Sequence, residues 1–410
     1  MFLYTRDRRL FDLIIKNGNL LTIESNHIEN KSILIKNGLI AEIVENEQTK
    51  EIKSKKVLDA NGLIIMPGLI DCHSHMIEYA TQYTHHIQGK SQNMGIVANL
   101  LEDLKSGITT VGDHCLGHPI LSTSIDIVKN VSHNTIVNIK IATGICAIGT
   151  EPIVFTSSIT PGTNILFECL DDTYISRIAV ENEFPGENIF ITATPANLPY
   201  ALVPNAGKIV FRKDKIQQIV EIFHNFNRKI GAHIEGSQNI QLFIDCNGDV
   251  VHHGHGANIK QFKEMAAKNI FFVATPHGGT NATPNTPKQI YYALKAGVVI
   301  AIATDSYLPV HPKSIDLNNL TVVGPQEFLK ICQPTFIYLT RNGVSKIDCL
   351  KMITLNAAKV LGLEMEIGSI KKNKKADLIL CKGMPVFDFV DIDSILMVIK
   401  DGIIEIDRTI

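Results

Sequence analysis

His73 and His75 stand two residues apart at the end of the apolar run IIMPGLIDCHSH. On an extended strand residues i and i+2 share a face, so both imidazoles can grip one metal ion. Asp71 precedes the pair and Pro67-Gly68 opens the segment. Single candidates recur at the ends of later apolar runs: His233 in KIGAHIEG, His253 in DVVHHGHG and Asp305 in VVIAIATDSY. Neutral imidazoles and one carboxylate leave a divalent ion an open position, where water gives up a proton near neutral pH. An aspartate such as Asp305 can take that proton, and a protonated group can return one to a leaving nitrogen. His252 and His255 compete with His253 for its role, since strand alternation alone does not choose among the three.

These residues need a frame that gathers strand ends at one place. Short apolar strands alternate with amphipathic helical stretches through the middle of the chain, the pattern of repeated βα units. We count eight strands, at 64–75, 108–115, 138–149, 188–197, 229–236, 249–256, 270–279 and 298–307. Helical stretches fill the gaps, as in DKIQQIVEIFHNFNRK and NIKQFKEMAAKN. The fold expected is α/β, a (β/α)8 TIM barrel whose chemistry sits at the C-terminal ends of its strands. Outside it, FDLIIKNGNLLTI, SILIKNGLIAEIVE and KVLDANGLIIMPG are β-branched runs punctuated by Asn-Gly, which predicts hairpins in a small antiparallel sheet. The texture returns in KKADLILCKG and SILMVIKDGIIEI, so both chain ends are expected to pair in one β-sandwich. The expected division is 10–63 and 364–410 for the sandwich and 64–363 for the barrel.

PGLIDCHSH followed by GAHIEG, HHGHG and IATDS closely resembles the amidohydrolase superfamily over nearly the whole chain. The tail from NAAKVLGLEMEIGSIKKNKKADLILCKG onward looks like that of the imidazolonepropionase-related branch and its dipeptidase cousins. The resemblance implies that His73, His75 and His233 are metal ligands and that Asp305 both ligates the metal and takes the proton of the attacking water. His253 would be a second-metal ligand or a partner of the water, and the relatives' sixth-strand His-Gly pattern supports it over its neighbours. Zinc is the ion expected, with iron and manganese also accepted by such ligands. Dinuclear members bridge their ions with a carboxylated lysine at the end of the fourth strand. FITATPAN has none there, and Lys140 lies early in the third strand, so one ion is expected rather than two. The glutamate that many mononuclear members place three residues after the fifth-strand histidine is here Gly236, leaving Glu235 as the candidate proton donor.

His114 and His277, ending the second and seventh strands, are candidates for substrate binding, as is His118. His311 follows the eighth strand and could rim a pocket, while His85, His86, Tyr79 and Tyr83 read as solvated surface.

The rest of the composition narrows the partners. With 410 residues, 45% of them hydrophobic, the chain can bury a large core. Its 39 basic and 41 acidic residues give no electrostatic footprint for nucleic acid or an anionic membrane, so a small molecule is the partner expected. The N-terminal MFLYTRDRRLFD lacks the apolar run of a signal peptide and no 18-residue apolar stretch occurs, which reads as cytoplasmic. The 8 cysteines form no CxxC pair and suit reduced core thiols. A monomer and a homo-oligomer are equally compatible with these numbers.

The function expected is hydrolysis of a non-peptide C–N bond in a small cyclic amide, or deamination of a nitrogen heterocycle. The alternatives are a dinuclear metallo-dipeptidase and, from another class, a non-catalytic binding barrel.

Overall fold

The structure is a computed structural model that describes residues 10–76, 90–115, 131, 135–146, 153–156, 164–166, 169–193, 207–277, 284–306 and 324–409. Five strands open the chain: β1 (Phe11–Thr22), β2 (His27–Lys36), β3 (Leu39–Val44), β4 (Ser54–Asp59) and β5 (Ile64–Pro67). Then follow β6 (Leu69–Ser74), β7 (Ile108–Cys115), β8 (Asn138–Thr143), β9 (Ile145–Cys146), β10 (Ile153–Thr156), β11 (Asn164–Leu166), β12 (Ile189–Phe190), β13 (Gly231–Glu235), β14 (Val250–His255), β15 (Phe271–Ala274) and β16 (Ile300–Ile302). β17 (Leu378–Cys381), β18 (Ile395–Lys400) and β19 (Ile403–Asp407) close it.

The middle strands pair in parallel, β6-β7-β8 in one sheet and β9-β12-β13-β14-β15-β16 in another, with β10 and β11 added antiparallel beyond β9. Only Gly144 separates β8 from β9, and a Cβ there would lie 2.3 Å from the Glu187 carbonyl oxygen. At the far side, Ser74 and Ser306 form a parallel bridge. Asp305 N donates to His73 O at 3.0 Å and His75 N to Ser306 O at 3.2 Å.

Amphipathic helices cover this parallel layer. Lys213–Asn225 buries Ile216, Ile219, Val220 and Phe223, a spacing that puts them on one face. Ile259–Ala267 starts from a capping box between Asn258 and Gln261, and Pro287–Lys295 from Thr286 followed by Pro287. A second apolar cluster joins Ile70, Val250, Val273 and Ala301 to Ala357, Val360 and Leu361 of the helix Leu355–Val360 and its end. Each large side chain buried this way contributes roughly 1.5–3 kcal/mol.

Both chain ends share one mixed sheet, in the order β19-β18-β17-β5-β1-β2-β3 with β4 also on β1. Leu13, Ile15, Ile33, Ile35, Leu378 and Leu380 pack together in one cluster of this sheet, while Met66, Ile379 and Val398 join the main core. The expectation of an antiparallel sheet built from Asn-Gly hairpins holds at one place only. Asn37-Gly38 closes a two-residue hairpin between Lys36 and Leu39. Asn17-Gly18 is a bulge inside β1, where the register slips between Ile15 and Gly18 and a Cβ on Gly18 would crowd Ile65 Cδ1 at 2.1 Å. Asn61-Gly62 links two strands that both run parallel to β1. The expected strand 64–75 is likewise split at Gly68, β5 pairing with β17 in the chain-end sheet and β6 with β7 in the parallel set.

Among the described residues no helix is long and apolar enough to cross a membrane. Cys72, Cys246, Cys332, Cys349 and Cys381 are free and buried, and Cys169 is free and exposed.

Candidate metal centre

Asp71 ties the first and last parallel strands together. Its carboxylate accepts from His73 N at 3.3 Å, from Thr304 N at 3.2 Å and from the Thr304 hydroxyl. Burial outweighs these hydrogen bonds and lifts its pKa to about 7. Two residues near this junction have left-handed backbone, His253 at φ +63° and Asp305 at φ +55°. Non-glycine residues seldom adopt that conformation, and it persists where the surroundings over-determine it.

Four imidazoles and two carboxylates meet where these elements end. Asp305 Oδ1 lies 3.2 Å from His73 Nε2 and 3.1 Å from His75 Nε2, and Oδ2 lies 4.0 Å from His253 Nδ1. The second carboxylate is Glu187. Its Oε1 contacts His233 Nδ1 and lies 2.7 Å from His253 Nε2 and 3.8 Å from His73 Nε2, while Oε2 is 3.6 Å from His75 Nε2. Phe190 stacks on His233 at 4.4 Å and fixes its ring plane. All six residues are buried.

Sequence reasoning missed Glu187. The bridging group that the resemblance implies is a carboxylated lysine at the end of the fourth strand, whereas Glu187 stands just before β12, in the turn FPGEN. The signal available was an acidic residue beside Pro185-Gly186, which reads equally well as an ordinary turn.

The other sequence candidates fall around this group. His252 is buried behind His73, their Nδ1 atoms 2.8 Å apart, and its Nε2 is 3.1 Å from Pro185 O. His114 packs its ring 4.0 Å from that of His73, its Nδ1 3.3 Å from Ser74 O. His255 approaches Asn285 at 3.4 Å, and half-buried His277 follows β15. The Glu235 side chain is half-buried, and no group of potential metal ligands among the described residues includes it. His118, His311, His85, His86, Tyr79 and Tyr83 lie outside the described residues.

Burial and neighbouring groups together set the charges at this site. Burial opposes charge on Glu187 and Asp305, yet the surrounding imidazoles outweigh it and hold both carboxyls well below the usual range. No described lysine or arginine forms an ion pair with either. Burial also disfavours a charged His75, but Asp305 and Glu187 prevail and lift it to about 9. His253 is raised, Glu187 and Asp305 outweighing its burial. Burial holds His73 below its usual value, His114 and His252 well below, and His255 down to about 3.

Three groups have ligand atoms close enough together for one ion: His73, His75 and His114; His73, His253 and Asp305; and Glu187, His233 and His253. His73 Nε2 and both Asp305 oxygens are buried without a hydrogen-bond partner, so the short His73–Asp305 separation is an approach of two atoms and not an aligned hydrogen bond. Buried acceptors left facing one another suit a divalent ion between them.

Residues 64–404 match the Amidohydrolase family. The chain is 21% identical to a dihydroorotase from Clostridioides difficile (strain 630), over 90% of each protein. It is 23% identical to an imidazolonepropionase from Idiomarina loihiensis (strain ATCC BAA-735 / DSM 15497 / L2-TR), over 90% of this chain and 91% of that one. Among solved structures, an amidohydrolase aligns with a TM-score of 0.72 at 19% identity, covering 97% of this chain and all (100%) of the other. A Xaa-Pro dipeptidase with bound methionine aligns with a TM-score of 0.72 at 19% identity, covering 96% and 99%.

Proposed function

Because the chain belongs to the amidohydrolase family and is related to its imidazolonepropionases, we propose that it is a metal-dependent hydrolase of a non-peptide C–N bond. The substrate is a small cyclic amide or a nitrogen heterocycle that loses an amino group. The observation that carries this reading is the buried pair Glu187 and Asp305, set against His73, His75, His233 and His253 with His73 Nε2 and the Asp305 oxygens left without hydrogen bonds.

His73, His75 and Asp305 form one side of the ligand set, His233 and His253 the other. Glu187 faces both through its two oxygens, the place a shared carboxylate would take, and this favours two ions over the one expected from sequence. Zinc fits the donors best, and iron or manganese are also accepted by imidazole and carboxylate. A divalent ion held there supplies Lewis acidity that polarises a carbonyl or C=N bond and acidifies water to near pH 7.

Asp305 is the general base. As the water oxygen adds to the electrophilic carbon, the Asp305 carboxylate takes the proton, then returns it to the leaving nitrogen as the C–N bond breaks. Half-buried His277, close enough to Asp305 to feel its charge, is read as a substrate contact, whereas burial of His114 against His73 favours a supporting role. The parallel strands are read as a closed (β/α)8 barrel, with Ser74–Ser306 as its seam and the chain-end sheet as a sandwich of residues 10–63 and 364–410 around a barrel of 64–363.

The position of Glu187 also favours a second reading, a two-ion dipeptidase. The test is turnover of a panel of cyclic amides, amino-substituted heterocycles and dipeptides by protein loaded with zinc or manganese, each beside a chelator-stripped control. Chelator-sensitive turnover of a cyclic amide or heterocycle is expected. Turnover of dipeptides alone would replace this reading with the second, and turnover that survives complete stripping would overturn both.

A further inference from the structure

His73 is pressed from behind by a second histidine that the proposed chemistry leaves unused. The Nδ1 atoms of His73 and His252 are 2.8 Å apart, and His252 Nε2 lies 3.1 Å from the carbonyl oxygen of Pro185. A carbonyl oxygen only accepts, so the hydrogen in that second bond sits on His252 Nε2. His252 is fully buried, its two ring nitrogens face His73 and the Pro185 carbonyl, and no described carboxylate forms an ion pair with it, so its ring is neutral with a single N–H. Its Nδ1 is therefore an acceptor. The hydrogen between the two rings belongs to His73 Nδ1, and His73 Nε2 carries a lone pair.

That lone pair points where a ligand atom is needed. His73 Nε2 lies 3.2 Å from Asp305 Oδ1 and 3.8 Å from Glu187 Oε1, with no hydrogen bond of its own. In the opposite tautomer two lone pairs would face each other at 2.8 Å between the rings. We propose that His252 is a positioning residue, which with the Pro185 carbonyl locks His73 as the Nδ1–H tautomer and so prepares Nε2 as a metal ligand before an ion arrives.

The local backbone makes this possible. Regular alternation would send the neighbours His252 and His253 to opposite faces of β14. The left-handed φ of +63° at His253 and the register slip between Ile234 and Glu235 on the paired strand break it, so both rings reach the centre. Gly231 supplies the room, since a Cβ there would lie 2.9 Å from His252 Nε2 and 2.0 Å from Gly186 O.

The inference rests on the metal-site reading for its purpose, but the tautomer is observable without metal. The experiment is long-range proton–nitrogen NMR of chelator-treated full chain labelled with 15N-histidine, the His73 ring identified by the signal lost in His73→Gln. The same spectra are taken for His252→Asn, whose amide oxygen can still accept from His73, and for His252→Leu, which cannot. Zinc affinity is measured for each by chelator competition. Wild type and His252→Asn are expected to carry hydrogen on His73 Nδ1, and His252→Leu to lose that preference and bind zinc ~10–100-fold more weakly. Hydrogen on His73 Nε2 in wild type overturns the proposal whether or not the variants fold. So does His252→Leu matching wild type in both readouts. Wild type with the Nδ1–H tautomer but no zinc binding leaves the positioning role standing and sinks the metal-hydrolase reading instead.

Discussion

Glu187 and His253 meet at 2.7 Å across 66 residues of sequence, and the same carboxylate presents its other oxygen to His75 at 3.6 Å. One side chain therefore faces histidines carried by β14 and by the end of β6, which lie in different hydrogen-bonded sheets.

Glu187→Gln keeps the shape and removes the negative charge. Metal content by elemental analysis is expected to fall from about two equivalents per chain to one or fewer, with turnover down more than ~100-fold, since ligand sets tolerate loss of a charged donor poorly. Unchanged stoichiometry in this variant would remove Glu187 from the ligand set.

Asp305→Asn leaves the histidines in place and takes away the base. Turnover is expected to drop by ~10²–10⁴-fold, the range for a positioned proton acceptor. Much of the metal should remain bound, as read by elemental analysis of the same preparation, and a fully active variant would require another base.

The metal-free protein should lose stability as pH rises from 6.5 through about 9. His75 titrates near 6.5 ordinarily and near 9 when folded, so the folded state holds its proton more tightly, and that stabilisation fades across this window. The raised His253 acts in the same direction. Asp71, lifted by burial from 3.8 to about 7, adds a loss of the same sign at lower pH, and Asp103 and the buried thiols of Cys72, Cys332, Cys349 and Cys381, all raised by burial, act in the same direction. Zinc should flatten the profile by replacing the proton. A melting temperature of metal-free protein that rises from pH 7 to 9 would contradict this charge assignment.

Gly68→Ala should destabilise the fold by about 1–3 kcal/mol, the usual cost of forcing atoms into a packed site. The added Cβ would lie 2.2 Å from Thr109 Oγ1 and 2.5 Å from Thr109 Cγ2. Urea unfolding checks the loss, and Thr109→Ala in the same chain should restore part of it. Independent, additive effects would place the strain elsewhere.

What could be read from sequence follows from how locally each feature is encoded. His73, His75, His233 and Asp305 lie at the ends of apolar runs, so a strand periodicity is enough to nominate them, whereas His253 stands out from its neighbours only through the family resemblance; the structure brings all five together. Glu187 lies before its strand and reaches the centre through a Pro-Gly turn, a path no periodicity encodes. The place of His252 depends on a left-handed neighbour that interrupts alternation. The sharing of one sheet by both chain ends was visible in repeated β-branched texture, but Asn-Gly marks a left-handed turn without saying whether the chain then reverses, bulges or jogs.

The pairing of β5 with β17 bears on the order in which the chain can assemble. Ile64–Pro67 waits for Leu378–Cys381, and Gly68 N for the carbonyl of Asp377, more than three hundred residues later. At roughly 5–20 residues per second of synthesis, that strand edge stays open for tens of seconds on the ribosome. Strand β6, which carries Asp71 and His73 with His75 just beyond its end, begins directly after this junction, so the segment that holds these histidines gains this anchor only once β17 has emerged.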